Sequence, residues 1–307
     1  MGACFSFLIG LTLLVVCGCS RTGSVKQEDT RAIIAAPVES EAPKSRPPQE
    51  KRSAAGYVGF DRNEYPGDAT MNAMRKTFTF TGYWLTVPPG AMFNQWKGKR
   101  EILKQQGWGF LLLANGKLDA EILTSQKKGT PPAALGRADA ADAVAAAKKE
   151  GFPPHSIVFL DQEEGGRLLD EQAAYLLGWT EAVAASAYRP GVYASGQRVQ
   201  DDPGVFITTV EDIRNRVKKG NLHKIEMFVA EDDCPPAPGC VLTPKPLADS
   251  GTPDAIAWQY SQSPRRPAIT KSCAQTYAAD GNCYASGFPG ILLDMDVAPS
   301  PDPSNAQ

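Results

Sequence analysis

Ser156-Ile157-Val158-Phe159-Leu160-Asp161-Gln162-Glu163-Glu164-Gly165-Gly166 runs without a polar break from Ile157 to Leu160 and then stops abruptly on acid. An unbroken apolar run suits a strand covered on both faces, as in a parallel sheet flanked by helices; a strand with one wet face would alternate. Similar short runs lie on either side of it, at 57–60, 79–85, 109–113, 191–194, 225–230, 255–258 and 290–293. Helical patterns separate them at 69–76, 99–106, 138–150, 171–187 and 210–219; Gly151 ends the alanine-rich third helix and Thr209 caps the last. Alternation of this kind is α/β, and eight strands predict closure into a TIM-type (β/α)8 barrel. An open, doubly wound sheet around a nucleotide would need a GxGxxG after the first strand or a GxxxxGK[ST], and neither occurs. Pro-rich and Cys-containing loops replace helices after the sixth and seventh strands, so the barrel is expected to be irregular in its last third.

The barrel is expected to occupy residues 56–298. Before it, residues 1–19 hold an apolar stretch from Phe5 to Val16, the length of a signal-peptide core and short for a membrane span. The stretch ends in Val16-Cys17-Gly18-Cys19, which resembles a bacterial lipobox, with Cys19 as the lipid acceptor. Residues 20–55 are polar and rich in Pro, Ser, Glu and Lys, and read as a disordered tether. The end of the chain, PSPDPSNAQ at 299–307, reads as a disordered tail. These features predict an exported, membrane-anchored lipoprotein facing the periplasm or cell surface. Cys234, Cys240, Cys273 and Cys283 remain beyond the leader, and an even count in an exported chain argues for two disulfides. Three pairings are open; Cys234 with Cys240 and Cys273 with Cys283 is favoured because each closes a short loop. Zinc is the weaker reading, since no CxxC spacing and no nearby His accompany them.

Basic and acidic residues nearly balance, 32 against 34, and no basic run could follow a phosphate backbone, which argues against nucleic acid as a partner. The acids are placed more tellingly. In a β/α barrel the reacting groups sit where the strands end, because the loops there converge on one open face. The first strand is followed by Asp61, the fourth by Asp161, Glu163 and Glu164, and the last by Asp294 and Asp296. Strands one and eight are neighbours in a closed barrel, so Asp61 and Asp294 are expected side by side. Asp161 and Glu163, like Asp294 and Asp296, are two apart and share a strand face. Carboxylates held close cannot both ionise easily, so one keeps a proton at neutral pH beside an anionic partner. Cleaving a glycosidic bond asks for that combination: an acid for the leaving oxygen and a carboxylate against positive charge at the anomeric carbon. Glu163 is the candidate acid. Acids at strand ends also cap helices or pair with Arg62 and Arg167, and convergence of three strand ends is what separates a site from that alternative.

The segments GFDRNEYPGDATMNAMRKTFTFTGYWL, WKGKREILKQQGWGFLLLANG, FPPHSIVFLDQEEGG, YRPGVYASG, IAWQYSQ and ILLDMDVA together resemble the glycoside hydrolase-like domain family of exported bacterial proteins, over essentially 56–298. That family is similar in turn to the lysozyme-type family 25 glycoside hydrolases, which cut peptidoglycan. The resemblance implies a β/α barrel, no cofactor and no metal, and a cell-wall glycan as partner. Its recurring positions fall here on Asp61, Asp161, Glu163, Tyr193, Trp258, Gln259, Tyr260 and Asp294. It implies Glu163 as general acid, with Asp161 and Asp294 orienting the substrate N-acetyl group or stabilising the transition state. The chain departs from the muramidases at the first strand, where Asp61-Arg62-Asn63 replaces Asp-x-Ser, and at the second, which ends in GYWLTVPP without an acid.

Flat side chains that could stack on sugar rings end two strands: Tyr83 and Trp84 the second, Trp258 and Tyr260 the seventh. Core packing is their alternative role, as it is for Trp96, Trp108 and Trp179. Tyr193, Gln259 and Asp296 complete the expected substrate-binding set. His155 and His223 precede strands and belong to the opposite rim, which leaves little support for a Ser-His-Asp arrangement or a His-based metal centre. Two functions stay open on this reading. One is a monomeric glycoside hydrolase acting on peptidoglycan-type glycan; the other is a catalytically silent lipoprotein that binds glycan or serves as a scaffold.

Overall fold

The computed structural model describes residues 56–232, 246–263, 284–285 and 287–307. The leader with Cys19, the tether, and Cys234, Cys240, Cys273 and Cys283 lie outside the described residues. Among the described residues no helix is long and apolar enough to cross a membrane.

Eight strands close a barrel: β1 (Tyr57–Asp61), β2 (Phe80–Trp84), β3 (Gly109–Asn115), β4 (Ile157–Asp161), β5 (Arg189–Ser195), β8 (Glu226–Ala230), β9 (Ala257–Ser261) and β12 (Asp294–Ala298). Helices α1 (Asp68–Met74), α2 (Arg100–Gln105), α3 (Asp119–Lys127), α4 (Pro132–Glu150), α5 (Asp170–Ala184) and α6 (Thr209–Gly220) connect the first six of these. The TIM-type barrel read from the sequence is the fold of the chain. Two small ribbons decorate it: β6 (Val199–Asp202) with β7 (Val205–Ile207), and β10 (Tyr284–Ala285) with β11 (Phe288–Leu292). Past β8 a 3-10 turn at Leu247–Ser250 is the one helical element among the described residues, which is the irregular last third.

The closing strand corrects the expectation. Residues 290–293 were to be the eighth strand, yet 288–292 pair with 284–285, and the barrel is closed by Asp294–Ala298, antiparallel to both β1 and β9. An antiparallel return needs no crossover helix, so β12 can follow β11 after a single residue. Its sequence, DMDVA, hides it, because Asp is depleted in strands. Alternation explains how it fits: Met295 and Val297 are fully buried on one face, while Asp294 and Asp296 share the other.

Local chemistry accounts for the long helix pair. α4 starts earlier than Ala138 because Pro131 and Pro132 open it, proline being tolerated in a first turn, and Gly151 ends it at φ 80° with Lys148 and Lys149 in the last turn. α4 and α5 cross where Gly136 and Gly178 meet backbone: a Cβ on Gly136 would lie 2.0 Å from the Tyr175 carbonyl oxygen. α3 was not foreseen, since its apolar residues carry almost no helical periodicity beyond the buried Ile122.

The tail is the second correction. Residues 299–307 are not disordered but wedge between β3 and β4 at the base of the barrel. Those two strands pair only from Leu112 and Val158 upward, leaving the lower backbone groups open. Ser304 bridges them, donating its N–H to the Phe110 carbonyl at 2.9 Å and accepting from the Ile157 N–H at 2.9 Å. The Asp302 carboxylate accepts from the Phe110 N–H at 2.8 Å, the Ser304 hydroxyl from the Leu112 N–H at 2.9 Å, and Ala306 is fully buried. A polar composition conceals this role because the segment supplies hydrogen bonds rather than apolar area.

Candidate functional site

Each barrel strand presents alternate residues to the interior, so the last inward residue of each one rings the mouth. β12 runs opposite to the others, which puts its first residue, not its last, at that end. Asp294 therefore stands directly opposite Asp61 in the β1–β12 register. Asp161 is level with Asn115 on one side and Tyr193 on the other. Asp61, Asp161, Glu163 and Asp294 line a single cavity of ≈ 80 Å³ with Trp84 and Gln259 among its walls.

That cavity is the middle of a trough. Towards β5, β8 and β9 it adjoins a compartment of ≈ 220 Å³ that shares Glu163, Tyr193, Gln259 and Gln262. Towards α3 it adjoins one of ≈ 430 Å³ that shares Asp161 and Glu163 and is walled by Pro89, Gly90 and Asn115. Glu163 borders all three compartments and is exposed, whereas Asp61 and Asp161 are each 6% exposed. A hollow of ≈ 360 Å³ between α6 and β8 is lined by Lys218, Lys224, Glu226 and Asp254, and includes none of these residues.

A relay of amides orients the floor. Gln262 Nε2 donates to the Tyr193 hydroxyl at 2.9 Å, Tyr193 donates to Gln259 Oε1 at 2.8 Å, and Gln259 Nε2 donates to Asp61 Oδ2 at 2.9 Å. Tyr193 thereby settles which end of the Gln259 amide faces Asp61. Asp294 accepts from the Ser263 N–H at 2.5 Å. Asp161 and Glu163 have no hydrogen-bond donor among the described residues.

Burial dominates the electrostatics. It pushes the Asp61 carboxyl up to about 7, against the hydrogen bond from Gln259 that favours its ionised form. Asp161 is held well above the ordinary carboxylate range by burial first and then by Glu163, Asp61 and Asp294. Asp294 is raised by burial and Asp61, with the Ser263 N–H and the Arg62 charge pulling the other way. Asp296, fully buried one layer below, is raised by burial and by Asp61 and Asp294. The sequence argument expected mutual repulsion to be the main cause; removal from water comes first.

Several expected site residues stand elsewhere. Tyr83 points outward into the helix layer, where its hydroxyl donates to Glu150 at 2.8 Å and its ring meets Trp96, Phe110 and Phe152. Its neighbour Trp84 points inward, with its indole N–H on the Arg62 carbonyl at 3.1 Å. Trp258 and Tyr260 flank the inward Gln259 and so face away from the trough, both fully buried. Asp296 lies under the floor rather than in the wall. Glu164 staples helices, accepting from the Asp119 N–H and from Gln172 Nε2, each at 2.7 Å. Arg62, the departure from the muramidase pattern, turns to the Leu292 carbonyl at 3.3 Å and to Glu64 at 3.1 Å instead of entering the cavity. Trp96, Trp108 and Trp179 are core.

Asn63, Gln162, Gln262 and Glu231 also line the trough and carried no signal in the sequence. They follow strand ends by one or two residues, where only the turn decides direction. Among the described residues no group of three or more His, Cys, Asp or Glu is arranged to hold a metal ion.

An uncharacterised protein of B. stearothermophilus superposes with a TM-score of 0.50 at 17% identity, covering 79% of this chain and 96% of that one. The Mycobacterium tuberculosis Tat-secreted protein Rv2525c, in complex with L-tartrate, gives 0.46 at 12% identity, covering 81% and 99%. The bacterial lysozyme from Streptomyces coelicolor gives 0.43 at 12% identity, covering 81% and 94%. No curated protein matches the chain. Residues 95–234 match the model of the Rv2525c-like, glycoside hydrolase-like domain, and over that stretch the chain is similar to that family.

Proposed function

We propose that the chain is an exported glycoside hydrolase acting on cell-wall glycan of the peptidoglycan type, anchored through Cys19 and the stretch to residue 55, and working as a monomer. The observation that carries this reading is the single cavity shared by Asp61, Asp161, Glu163 and Asp294, with Glu163 alone of the four exposed at the centre of an open trough. A glycan chain laid along the trough passes its linkage over Glu163. The Glu163 carboxyl gives its proton to the leaving oxygen as the bond to the anomeric carbon breaks; water then supplies hydroxide to that carbon and returns a proton to the carboxylate. Asp161, buried and without a donor among the described residues, turns to the sugar above it, and the Asp61–Asp294 pair answers the positive charge that develops. Trp84 supplies the flat wall. No cofactor enters this chemistry.

Glu163→Gln tests it. Release of reducing ends from purified peptidoglycan should vanish while the thermal midpoint stays within about 1 °C, since the side chain is exposed and makes no hydrogen bond among the described residues. Unchanged release removes the proposal. One observation favours the silent glycan-binding reading: burial drives Asp61, Asp161 and Asp294 toward their neutral forms, which weakens charge stabilisation. Saturable binding to peptidoglycan without any new reducing end would decide for it.

A further inference from the structure

The compartment between Glu163 and β8 has walls that the proposed chemistry does not use. Gln162, Gln197, Gln259 and Gln262 bring amides to it, and Glu231, just past the end of β8, brings a carboxyl. Amides suit sugar hydroxyls, which both donate and accept. The carboxyl is the anomaly. Glu231 is partly buried, its backbone is engaged by Gln259 and Trp258, and its side chain has no hydrogen-bond or ionic partner among the described residues. Its oxygen lies over two glycines, at 3.5 Å from where a Cβ of Gly196 would be and 3.6 Å from that of Gly251.

The same lack extends into the middle cavity. Asp161 is 94% buried, borders that cavity and has no donor among the described residues, and Glu163 stands open beside it. No Lys, Arg or His lines either compartment among the described residues. Arg62 is the cation felt by Asp294, and it is engaged with Glu64 at 3.1 Å outside the cavity. These two compartments gather carboxyls with no cation among the described residues, the nearest lining cation being Lys117 on the α3 side, which penalises each carboxyl that ionises, and a ligand carrying positive charge relieves that penalty on binding. An acidic glycan would add to it.

Building on the glycan-hydrolase reading above, we infer that the β8-side compartment takes an amino sugar with a free ammonium group, which Glu231 meets, so that the preferred substrate is a partly de-N-acetylated amino-sugar glycan. An ammonium at that position also reaches the Glu163 edge of the compartment and the oriented amide of Gln259.

The test is calorimetric titration of the full-length protein with two probes of equal length: fully acetylated chito-oligosaccharides and about half-deacetylated ones, at low and high salt. The deacetylated oligomers should bind about tenfold more tightly, the worth of one charge-assisted contact. High salt should narrow that ratio, and Glu231→Gln should bring it close to one. Equal or reversed affinity of the two probes overturns the inference and leaves the glycan reading standing. Binding of neither probe removes both. The two-probe ratio on the unmutated protein decides the matter even if the Glu231 variant does not fold.

Discussion

Replacing Asp61 by Asn should stabilise the barrel above neutral pH while disabling its site. Asp61 is buried at the mouth, and its carboxyl moves from an ordinary 3.8 to about 7. A group raised in this way binds its proton more tightly folded than unfolded. Its stabilising contribution is complete below about pH 4, drains as pH climbs, and is gone above about pH 7. With 1.36 kcal/mol for each pKa unit, the loss between those limits is about 4 kcal/mol. Asn has nothing to ionise and still accepts from Gln259 Nε2, which now reaches Asp61 Oδ2 at 2.9 Å. Urea unfolding of both proteins across pH 4 to 8 measures the effect, the difference between the two curves reporting Asp61 together with its coupling to Asp161, Asp294 and Asp296. At acid pH the two should agree within about 1 kcal/mol; near pH 8 the variant should lead by about 3–4 kcal/mol. Such a gain on removing a site residue is the expected sign of stability spent on function. Parallel curves, or a variant that falls behind at high pH, would refute the burial argument for the whole mouth.

Three further outcomes follow from the same contacts. Ending the chain at Ala298 strips acceptors from the N–H groups of Phe110, Leu112 and Ile157 at the barrel base; at about 1 kcal/mol per hydrogen bond the urea midpoint should fall by the equivalent of about 3–5 kcal/mol, and an unchanged midpoint contradicts the wedge. Tyr83→Phe breaks the 2.8 Å bond to Glu150 in the helix layer, costing about 1 kcal/mol with glycan binding intact, whereas a loss of binding would return Tyr83 to the site. Gln259→Leu removes a donor that favours ionised Asp61, so carbon NMR of the carboxyl should show its titration rising above about 7; a fall would mean that the amide faces the other way.

Legibility differed between levels of structure. β4 was plain because Ile157–Leu160 is apolar on both faces, and its acid end was plain because Asp161 follows at once. β12 was not, since Asp294 and Asp296 look like loop residues until partners on β1 and β9 are known. Among the aromatics, one residue of slip decides everything: Trp84 enters the barrel while Tyr83 leaves it. Gln259 enters between Trp258 and Tyr260, which leave, so the most conspicuous residues of that strand are its structural ones and the plain amide belongs to the site.

Read alone, the chain determined the first seven barrel strands, five of the helices between them and the acids at the ends of β1 and β4, because periodicity and strand termination are settled by neighbours a few residues away. Which of those acids share a cavity, which strand closes the barrel, and that the polar last residues plug its base were decided only by the tertiary fold. Pairing between β1 and β12, and between Ser304 and the bases of β3 and β4, joins segments that have no influence on each other until the barrel closes around them.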